Sequence, residues 1–299
     1  MEHSPSVAES FDFEKQFKNR EPLDLFGTPF DVVDIRPEQL KTDVPVLIAP
    51  GWSETIDTFK ESMMILASKG RRVICLEHPR IGNEMDHVDE DLKKLYPEEE
   101  LRKALALLEV LEHKGIDKAD ILAHSEGGIN TAIMSALAVE RVNSVYFSDV
   151  GGLIGEDNYL QLSNRFNAKI LGDIKDLLYS DDIARQSRIQ GTLARGVEYI
   201  FANPIRATKE TSAIAQSQTE GIVNFLHEMG VPVAVSCRED DPVFPIDRVK
   251  KILEGVSVDK FITMPGGHDD LTFDPLNSMT VIDQTFDELA LKKQEAVVD

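Results

Sequence analysis

Short runs of consecutive apolar residues alternate along this chain with longer stretches whose apolar positions recur every three or four residues. Val44 to Ala49 (VPVLIA) reads as a buried strand, and after the loop PGWSET a helix is expected around Ile56 to Ser68. Arg72 to Leu76 (RVICL) is the next strand, Leu101 to His113 a helix, Ala119 to Ala123 (ADILA) a strand, and Gly127 to Val139 another helix. Val142 to Ser148 (VNSVYFS) closes that series. The rhythm resumes with a strand at Val231 to Cys237, a helix near Ile246 to Leu253, a strand at Lys260 to Thr263 and a last helix from about Pro275 to Lys292. That alternation predicts an α/β fold, a mostly parallel sheet flanked by helices on both faces.

The interval from about Gly152 to Gly221 has no convincing strand. Within it Leu162, Phe166, Ile170, Ile174 and Leu177 fall at three- and four-residue steps, as on one helix face. A helical insertion between two halves of one sheet is therefore expected. Its apolar stripe reads either as packing on the main domain or as part of a lid.

Composition and charge narrow the function. A chain of 299 residues allows one large α/β domain or two average ones, and its 18 Gly and 14 Pro are scattered as in turns and caps. With 53 acidic and 32 basic side chains the formal charge is -21, which argues against nucleic acid and anionic bilayers, both held by clustered Lys and Arg. No apolar run approaches the roughly 20 residues that span a membrane. The N-terminal segment lacks the basic and apolar regions of a secretory signal, and Cys75 and Cys237 are too few for a disulfide framework, so a cytoplasmic location is expected. The acids Glu84, Asp86, Asp89, Glu90, Asp91, Glu98, Glu99 and Glu100 read as a solvated loop and helix start, with Pro97 at the first turn, rather than as a metal site.

The strongest chemical signal is Ile121-Leu122-Ala123-His124-Ser125-Glu126-Gly127-Gly128, between a predicted strand and a predicted helix. It looks like a nucleophile elbow, in which a sharp turn lifts a serine hydroxyl above the sheet and small neighbours relieve crowding. Ala123 stands where the G-x-S-x-G pattern has its first glycine, and Gly127 satisfies the second. The mechanism needs an acid and then a histidine later in the chain. Arg238-Glu239-Asp240-Asp241-Pro242-Val243-Phe244-Pro245 and Gly266-Gly267-His268-Asp269-Asp270 supply them, each just after the end of a predicted strand, where open α/β sheets place their sites.

In these three motifs, in their order and their context, the chain resembles the α/β-hydrolase family from about residue 28 to the C-terminus. The family's acid turn, D-x-x-x-P, is matched by Asp241 to Pro245, and its G-H turn by Gly267-His268. The resemblance implies Ser125 as nucleophile, His268 as general base and then acid, and Asp241 as orienter of the imidazole. It divides the chain into an N-terminal extension at 1–27, a hydrolase core at 28–151 and 222–299, and a helical cap at 152–221. The family's oxyanion loop is matched by Pro50-Gly51-Trp52-Ser53, with Pro50 replacing the usual histidine. The backbone N–H groups of Trp52 and Glu126 are the candidate oxyanion donors, since the donors are amides rather than that side chain. The Trp52 ring either walls the acyl pocket or serves packing alone.

Rival readings are weaker. His124 adjoins the serine, but successive strand residues point to opposite faces, so packing or support is expected of it rather than base catalysis. His78, His87, His113 and His227 lack paired metal-ligand spacing, and His3 lies in the N-terminal tail. Asp149, just after a strand, is the alternative acid. Val150-Gly151-Gly152-Leu153-Ile154-Gly155 fails the dinucleotide fingerprint at its first glycine position. Cys75 and Cys237 lie on strands that the family's strand order would separate, so free buried thiols are expected. Arg185, Arg188, Arg195 and Arg206 are candidates to receive a substrate carboxylate, with ordinary surface arginines as the alternative.

The function expected is that of a serine hydrolase cleaving carboxylic esters of short to medium acyl length, extending to lactones, with no metal or organic cofactor and a small-molecule substrate. Thioesterase, carbon-carbon hydrolase, aminopeptidase and acyltransferase chemistry share the triad and stay open. A ligand-binding, receptor-like protein with little or no turnover is the alternative from another class.

Overall fold

In the computed structural model, which describes residues 7–78, 85 and 88–298, the apolar runs form one eight-stranded sheet. The strands are β1 (Glu21–Leu25), β2 (Thr28–Ile35), β3 (Val46–Ala49), β4 (Val73–Leu76), β5 (Ala119–His124), β6 (Val142–Ser148), β7 (Val233–Arg238) and β8 (Lys260–Met264). Their spatial order is β1-β2-β4-β3-β5-β6-β7-β8. β2 is antiparallel to both β1 and β4, and the other neighbouring pairs are parallel.

The helices are α1 (Val7–Lys18), α2 (Lys60–Ser68), α3 (Glu90–Leu95), α4 (Glu98–His113), α5 (Gly127–Leu137), α6 (Tyr159–Tyr179), α7 (Ile183–Ala202), α8 (Pro204–Gln216), α9 (Glu220–Glu228), α10 (Ile246–Leu253), α11 (Asp270–Phe273) and α12 (Pro275–Val298). Every residue of β3, β4, β5 and β7 is buried, as parallel strands covered on both faces must be. On one face Leu47, Ile74, Ile121 and Val235 share a core with Leu107 of α4, Ile133 of α5 and Leu226 of α9. On the other, Ile48, Cys75 and Leu122 pack with Phe17 of α1, Met63 of α2 and Phe286 of α12. Among the described residues no helix is long and apolar enough to cross a membrane.

The N-terminal region differs from the sequence reading. β1 and β2 form a hairpin closed by Phe26 and Gly27, both in the left-handed region at φ 51° and 79°, as a two-residue turn requires. The boundary expected between residues 27 and 28 falls inside this hairpin, so Glu21–Leu25 belong to the sheet. Pro22, Asp24, Pro29, Asp31 and Asp34 interrupt the apolar alternation there and hide the strands.

The interval without strands is helical, as expected. α6, α7 and α8 follow β6, and α9 then returns to the core through buried Val223 and Leu226. The apolar stripe on α6 divides its roles. Leu162 is buried and Phe166 packs on the core, whereas Ile170 and Ile174 are 37% and 40% exposed.

The acidic run is solvated at Asp89, Glu90, Asp91 and Glu98. Glu84 and Asp86 lie outside the described residues, as do His3 and His87. Glu100 overturns the solvated reading: it is fully buried on the inner side of α4, near Lys103 and Glu126. Pro97 sits at the N-cap, immediately before the first turn. Cys75 and Cys237 are free and buried, on β4 and β7, with three strands between them.

A buried ion cluster ties the C-terminal helix to the sheet. Arg71, 2% exposed, donates from Nε to Asp283 Oδ1 at 2.5 Å and from Nη2 to Asp287 Oδ1 at 2.7 Å and the Asp283 carbonyl at 3.0 Å. Removing one member of a buried pair leaves the other charge uncompensated. Arg71→Ala is therefore expected to lower the unfolding free energy by about 3 to 5 kcal/mol, read as a lower urea midpoint at unchanged m-value; a loss below about 0.5 kcal/mol would show the cluster to be energetically idle.

Candidate active site

Ser125 lies between the end of β5 and the start of α5, with φ at 52°. A non-glycine residue in that region is uncommon and persists only where its surroundings enforce it. The Ser125 carbonyl accepts from the N–H groups of Gly128 and Gly151, and its own N–H donates to the Ser148 carbonyl. A Cβ on Gly127 would lie 2.1 Å from the Ala49 carbonyl oxygen, and one on Gly51 would lie 2.8 Å from Ser125 Cβ. The second glycine of the motif is thus sterically required. The first is not, because Ala123 is a regular strand residue paired with Ala49 and Phe147.

The turns after β7 and β8 bring the other two motifs to this point. His268 Nε2 is 3.0 Å from Ser125 Oγ, and His268 Nδ1 is 2.8 Å from Asp241 Oδ2. The second oxygen, Asp241 Oδ1, accepts from the N–H groups of Val243 at 2.6 Å and Phe244 at 3.2 Å, so the acid turn itself holds the carboxylate. All three side chains are buried. Burial disfavours the imidazolium, but the charge and hydrogen bond of Asp241 outweigh it and hold the His268 pKa above its ordinary 6.5.

Asp149, the alternative acid, is occupied elsewhere. Its Oδ1 accepts from the Arg238 N–H at 2.6 Å and its Oδ2 from Ser148 Oγ at 3.0 Å. Burial, followed by the charge of Asp241, pushes its pKa upward.

His124 is locked into a supporting role. Its Nδ1 is 2.9 Å from Glu54 Oε1 and its Nε2 3.1 Å from the His268 carbonyl oxygen, while Glu54 Oε2 accepts from the Gly51 N–H. Two acceptors on one ring call for both nitrogens protonated, and Glu54 raises the His124 pKa to about 9 against the opposing effect of burial. One imidazolium thereby joins the oxyanion loop to the histidine turn. His78, at the end of β4, contacts the Pro50 carbonyl through Nε2 at 3.2 Å; burial and then Lys103 lower its pKa to about 3, so it is neutral and Nε2–H donates.

A cavity of about 460 Å3 opens over Ser125 and His268, beneath α6, α7 and α8. Trp52, Phe166, Ile170, Val197 and Ile200 give it apolar walls. The Trp52 ring packs edge-on to Tyr199 at 5.6 Å and tilted to Phe166 at 5.7 Å, so it is both a wall and a packing element. Lys169 of α6 pairs with Asp173 and with Asp269, the residue after His268. Burial alone would raise the Asp269 pKa, but Lys169 holds it below the usual value.

His124, His268 and Asp269 place ligand atoms within 4.8 Å of one another. Each is already engaged, with Glu54, with Ser125 and Asp241, and with Lys169, so the group does not offer an open set of metal donors. Of the arginines considered for a substrate carboxylate, Arg185 pairs with Asp176 and Asp270, Arg188 with Glu61, and Arg206 with Glu99 and Glu210. Arg195 reaches the cavity and donates to Thr192 Oγ1 at 3.3 Å.

Sequence reasoning missed Glu54, Lys103, Lys169, Tyr199 and Glu210. Glu54 carried a weak signal as an acid inside the PGWSET loop. The others are brought in by contacts between elements distant in the chain, which no local spacing marks.

A model of the α/β hydrolase fold family matches residues 44–196. A search of curated proteins returned no match. Among solved structures, an α/β hydrolase fold protein from Chitinophaga pinensis is 16% identical with a TM-score of 0.62, covering 90% of this chain and 97% of its own. A meta-cleavage product hydrolase from Pseudomonas fluorescens is 15% identical with a TM-score of 0.62, covering 90% and 98%. A thermophilic esterase from Thermogutta terrifontis is 15% identical with a TM-score of 0.58, covering 91% and 99%. With a family match across half of its length and the fold shared almost end to end, this chain belongs to the α/β-hydrolase fold family.

Proposed function

We propose that the protein is a serine hydrolase that cleaves carboxylic esters of short to medium apolar acyl groups, lactones among them, through an acyl-enzyme on Ser125. The observation that carries this reading is the hydrogen-bonded series Ser125, His268 and Asp241 at the floor of an apolar-walled cavity. In this reading His268 Nε2 takes the Ser125 proton as Oγ attacks the carbonyl carbon, and Asp241 stabilises the imidazolium that forms. The backbone N–H groups of Trp52 and Glu126 hold the tetrahedral oxyanion, each worth roughly 3 kcal/mol. The imidazolium then protonates the leaving alkoxide, and a water deprotonated by His268 releases the acid from Ser125.

α6, α7 and α8 serve as the cap of this site. Phe166, Ile170, Val197 and Ile200 suit an alkyl or aryl acyl group, and the charge of -21 favours neutral or cationic esters over polyanions. The esterase among the structural neighbours agrees with this chemistry; the meta-cleavage product hydrolase shows that the fold carries others.

Covalent labelling tests the nucleophile. A fluorophosphonate is expected to modify Ser125, and Ser125→Ala is expected to lower kcat/KM on p-nitrophenyl esters by at least about 10^4-fold. Equal hydrolysis by wild type and Ser125→Ala across linear esters, lactones and thioesters would overturn the mechanism.

The histidines set a pH window. Neutral His268 is the base, so kcat/KM is expected to rise with pH through an apparent pKa above 6.5. His124 must stay protonated to bridge Glu54 and the His268 carbonyl. Because it binds its proton more tightly folded than unfolded, its stabilisation is complete below about pH 6.5 and lost as pH rises through about 9. That shift corresponds to about 3 kcal/mol. Urea midpoints measured from pH 6 to 10 are expected to fall across this range in wild type and to stay flatter in His124→Gln; parallel curves would remove His124 as the cause.

A further inference from the structure

Between the cavity and α4 lies a cluster of buried charges that the triad does not use. Glu126, the residue after the nucleophile, is fully buried, and its Oε1 is 2.6 Å from Lys103 Nζ. Lys103 Nζ is also 2.8 Å from Oε1 of Glu210 on α8. The other oxygen of that carboxylate, Oε2, accepts from the Trp52 indole N–H at 2.9 Å and from the Tyr199 hydroxyl at 2.6 Å. Arg206 Nε adds a contact to Glu210 Oε1 at 3.2 Å. Glu210 is fully buried with donors on both oxygens. Burial works to raise its pKa, but Lys103 and the hydrogen bonds hold it below the ordinary value, and it stays ionised.

The two ends of this bridge are the two residues whose amides are the oxyanion donors in the proposed mechanism. Trp52 lies on the loop after β3 and Glu126 on the elbow after β5, and no hydrogen bond between their side chains joins them directly. Two further bonds act on the same loop: His78 holds the Pro50 carbonyl, and Glu54 holds the Gly51 N–H. Both hold groups just before the Trp52 amide, and the indole adds an anchor through the Trp52 side chain itself. A single path, Glu126 to Lys103 to Glu210 to Trp52, therefore spans the oxyanion hole from behind and passes through α8.

We propose that Lys103 and Glu210 are positioning residues that fix the Trp52 and Glu126 amides relative to each other, so that seating α8 on the core completes the oxyanion hole. The inference rests on the acyl-transfer reading of Ser125. In that setting the bridge acts on the transition state more than on substrate binding, because an amide displaced from the oxyanion still leaves the apolar walls intact. It also makes cap and catalytic machinery one unit, since Glu210 and Tyr199 both belong to the helices over the cavity.

Trp52 is the single tryptophan, so its fluorescence reports the bridge without any substrate. The experiment compares wild type, Glu210→Gln, which keeps a polar side chain but removes the charge facing Lys103, and Trp52→Phe, which keeps a ring but removes the indole N–H. Each is checked for folding by circular dichroism, and rates are normalised to active sites. Both variants are expected to lose about 10- to 100-fold in kcat and in the rate of Ser125 phosphonylation, with KM within about twofold of wild type. The double variant is expected to be no slower than the slower single one, and Glu210→Gln is expected to red-shift the Trp52 emission. A raised KM with unchanged kcat would make Trp52 a wall only, and multiplying losses in the double variant would show the residues to act separately; either overturns the bridge. Should Glu210→Gln fail to fold, Trp52→Phe decides by its kcat and KM alone. Failure of wild type to be phosphonylated at Ser125 would instead defeat the underlying serine-hydrolase reading, and a normal Ser125 labelling rate in Glu210→Gln would defeat only this inference.

Discussion

At Gly127 the backbone passes so near β3 that a Cβ would stand 2.1 Å from the Ala49 carbonyl oxygen, and this contact sets the geometry around it. It lets the chain turn from β5 into α5 within two residues, which forces Ser125 to a φ of 52° and presents its hydroxyl above the sheet edge. The same closeness draws the loop after β3 against the serine, with Gly51 tight on Ser125 Cβ. The parallel order β3-β5-β6-β7-β8 then delivers the turns after β7 and β8 to the same edge, where His268 meets the hydroxyl and Asp241 meets His268. A sheet built for close parallel packing thus converges three distant segments on one point.

Around that point the chain spends its buried charges as links between segments. Glu54 and His124 join the loop after β3 to the elbow and to the histidine turn. Lys103, Glu126 and Glu210 join the elbow to α8, and Lys169 with Asp269 joins α6 to the histidine turn. Buried ion pairs add little net stability because desolvation offsets their attraction, but breaking one is costly. In the proposed mechanism their worth is in fixing the separation of groups that must agree closely for acyl transfer. The acidity of the chain is therefore two things: a solvated surface at residues such as Glu90 and Glu98, and interior carboxylates such as Glu126 and Glu210, which share Lys103.

The fold was legible wherever apolar runs were uninterrupted. β3 to β8 and the helices α2, α4, α5 and α10 fall within a few residues of their expected places, because fully buried strands and amphipathic helices write their periods directly into the chain, whereas α3 and α9 were not expected as separate helices. The β1–β2 hairpin was not legible, since Pro22, Pro29 and three aspartates break its alternation, and its turn uses Phe26 in a left-handed conformation rather than the asparagine or second glycine that would announce it. The approach of Ser125, Asp241 and His268 to one another was legible because each sits in a short motif after a strand. Lys103, Glu210 and Glu54 were not: Lys103 and Glu210 stand far apart in the chain, on α4 and α8, and only the packing of α8 on α4 brings them together. Glu100 was misread for the same reason, as one acid in a run whose neighbours face water.

In the proposed mechanism Ser125, His268 and Asp241 carry acyl transfer, with the Trp52 and Glu126 amides as the oxyanion hole. A crystal structure of the covalent phosphonate adduct tests it most directly. Phosphorus is expected bonded to Ser125 Oγ, with the phosphoryl oxygen about 2.7 to 3.1 Å from both amide nitrogens and the alkyl group lying between Phe166 and Val197. Phosphorus on another residue, or on Ser125 with its oxygen turned away from both amides, would contradict it.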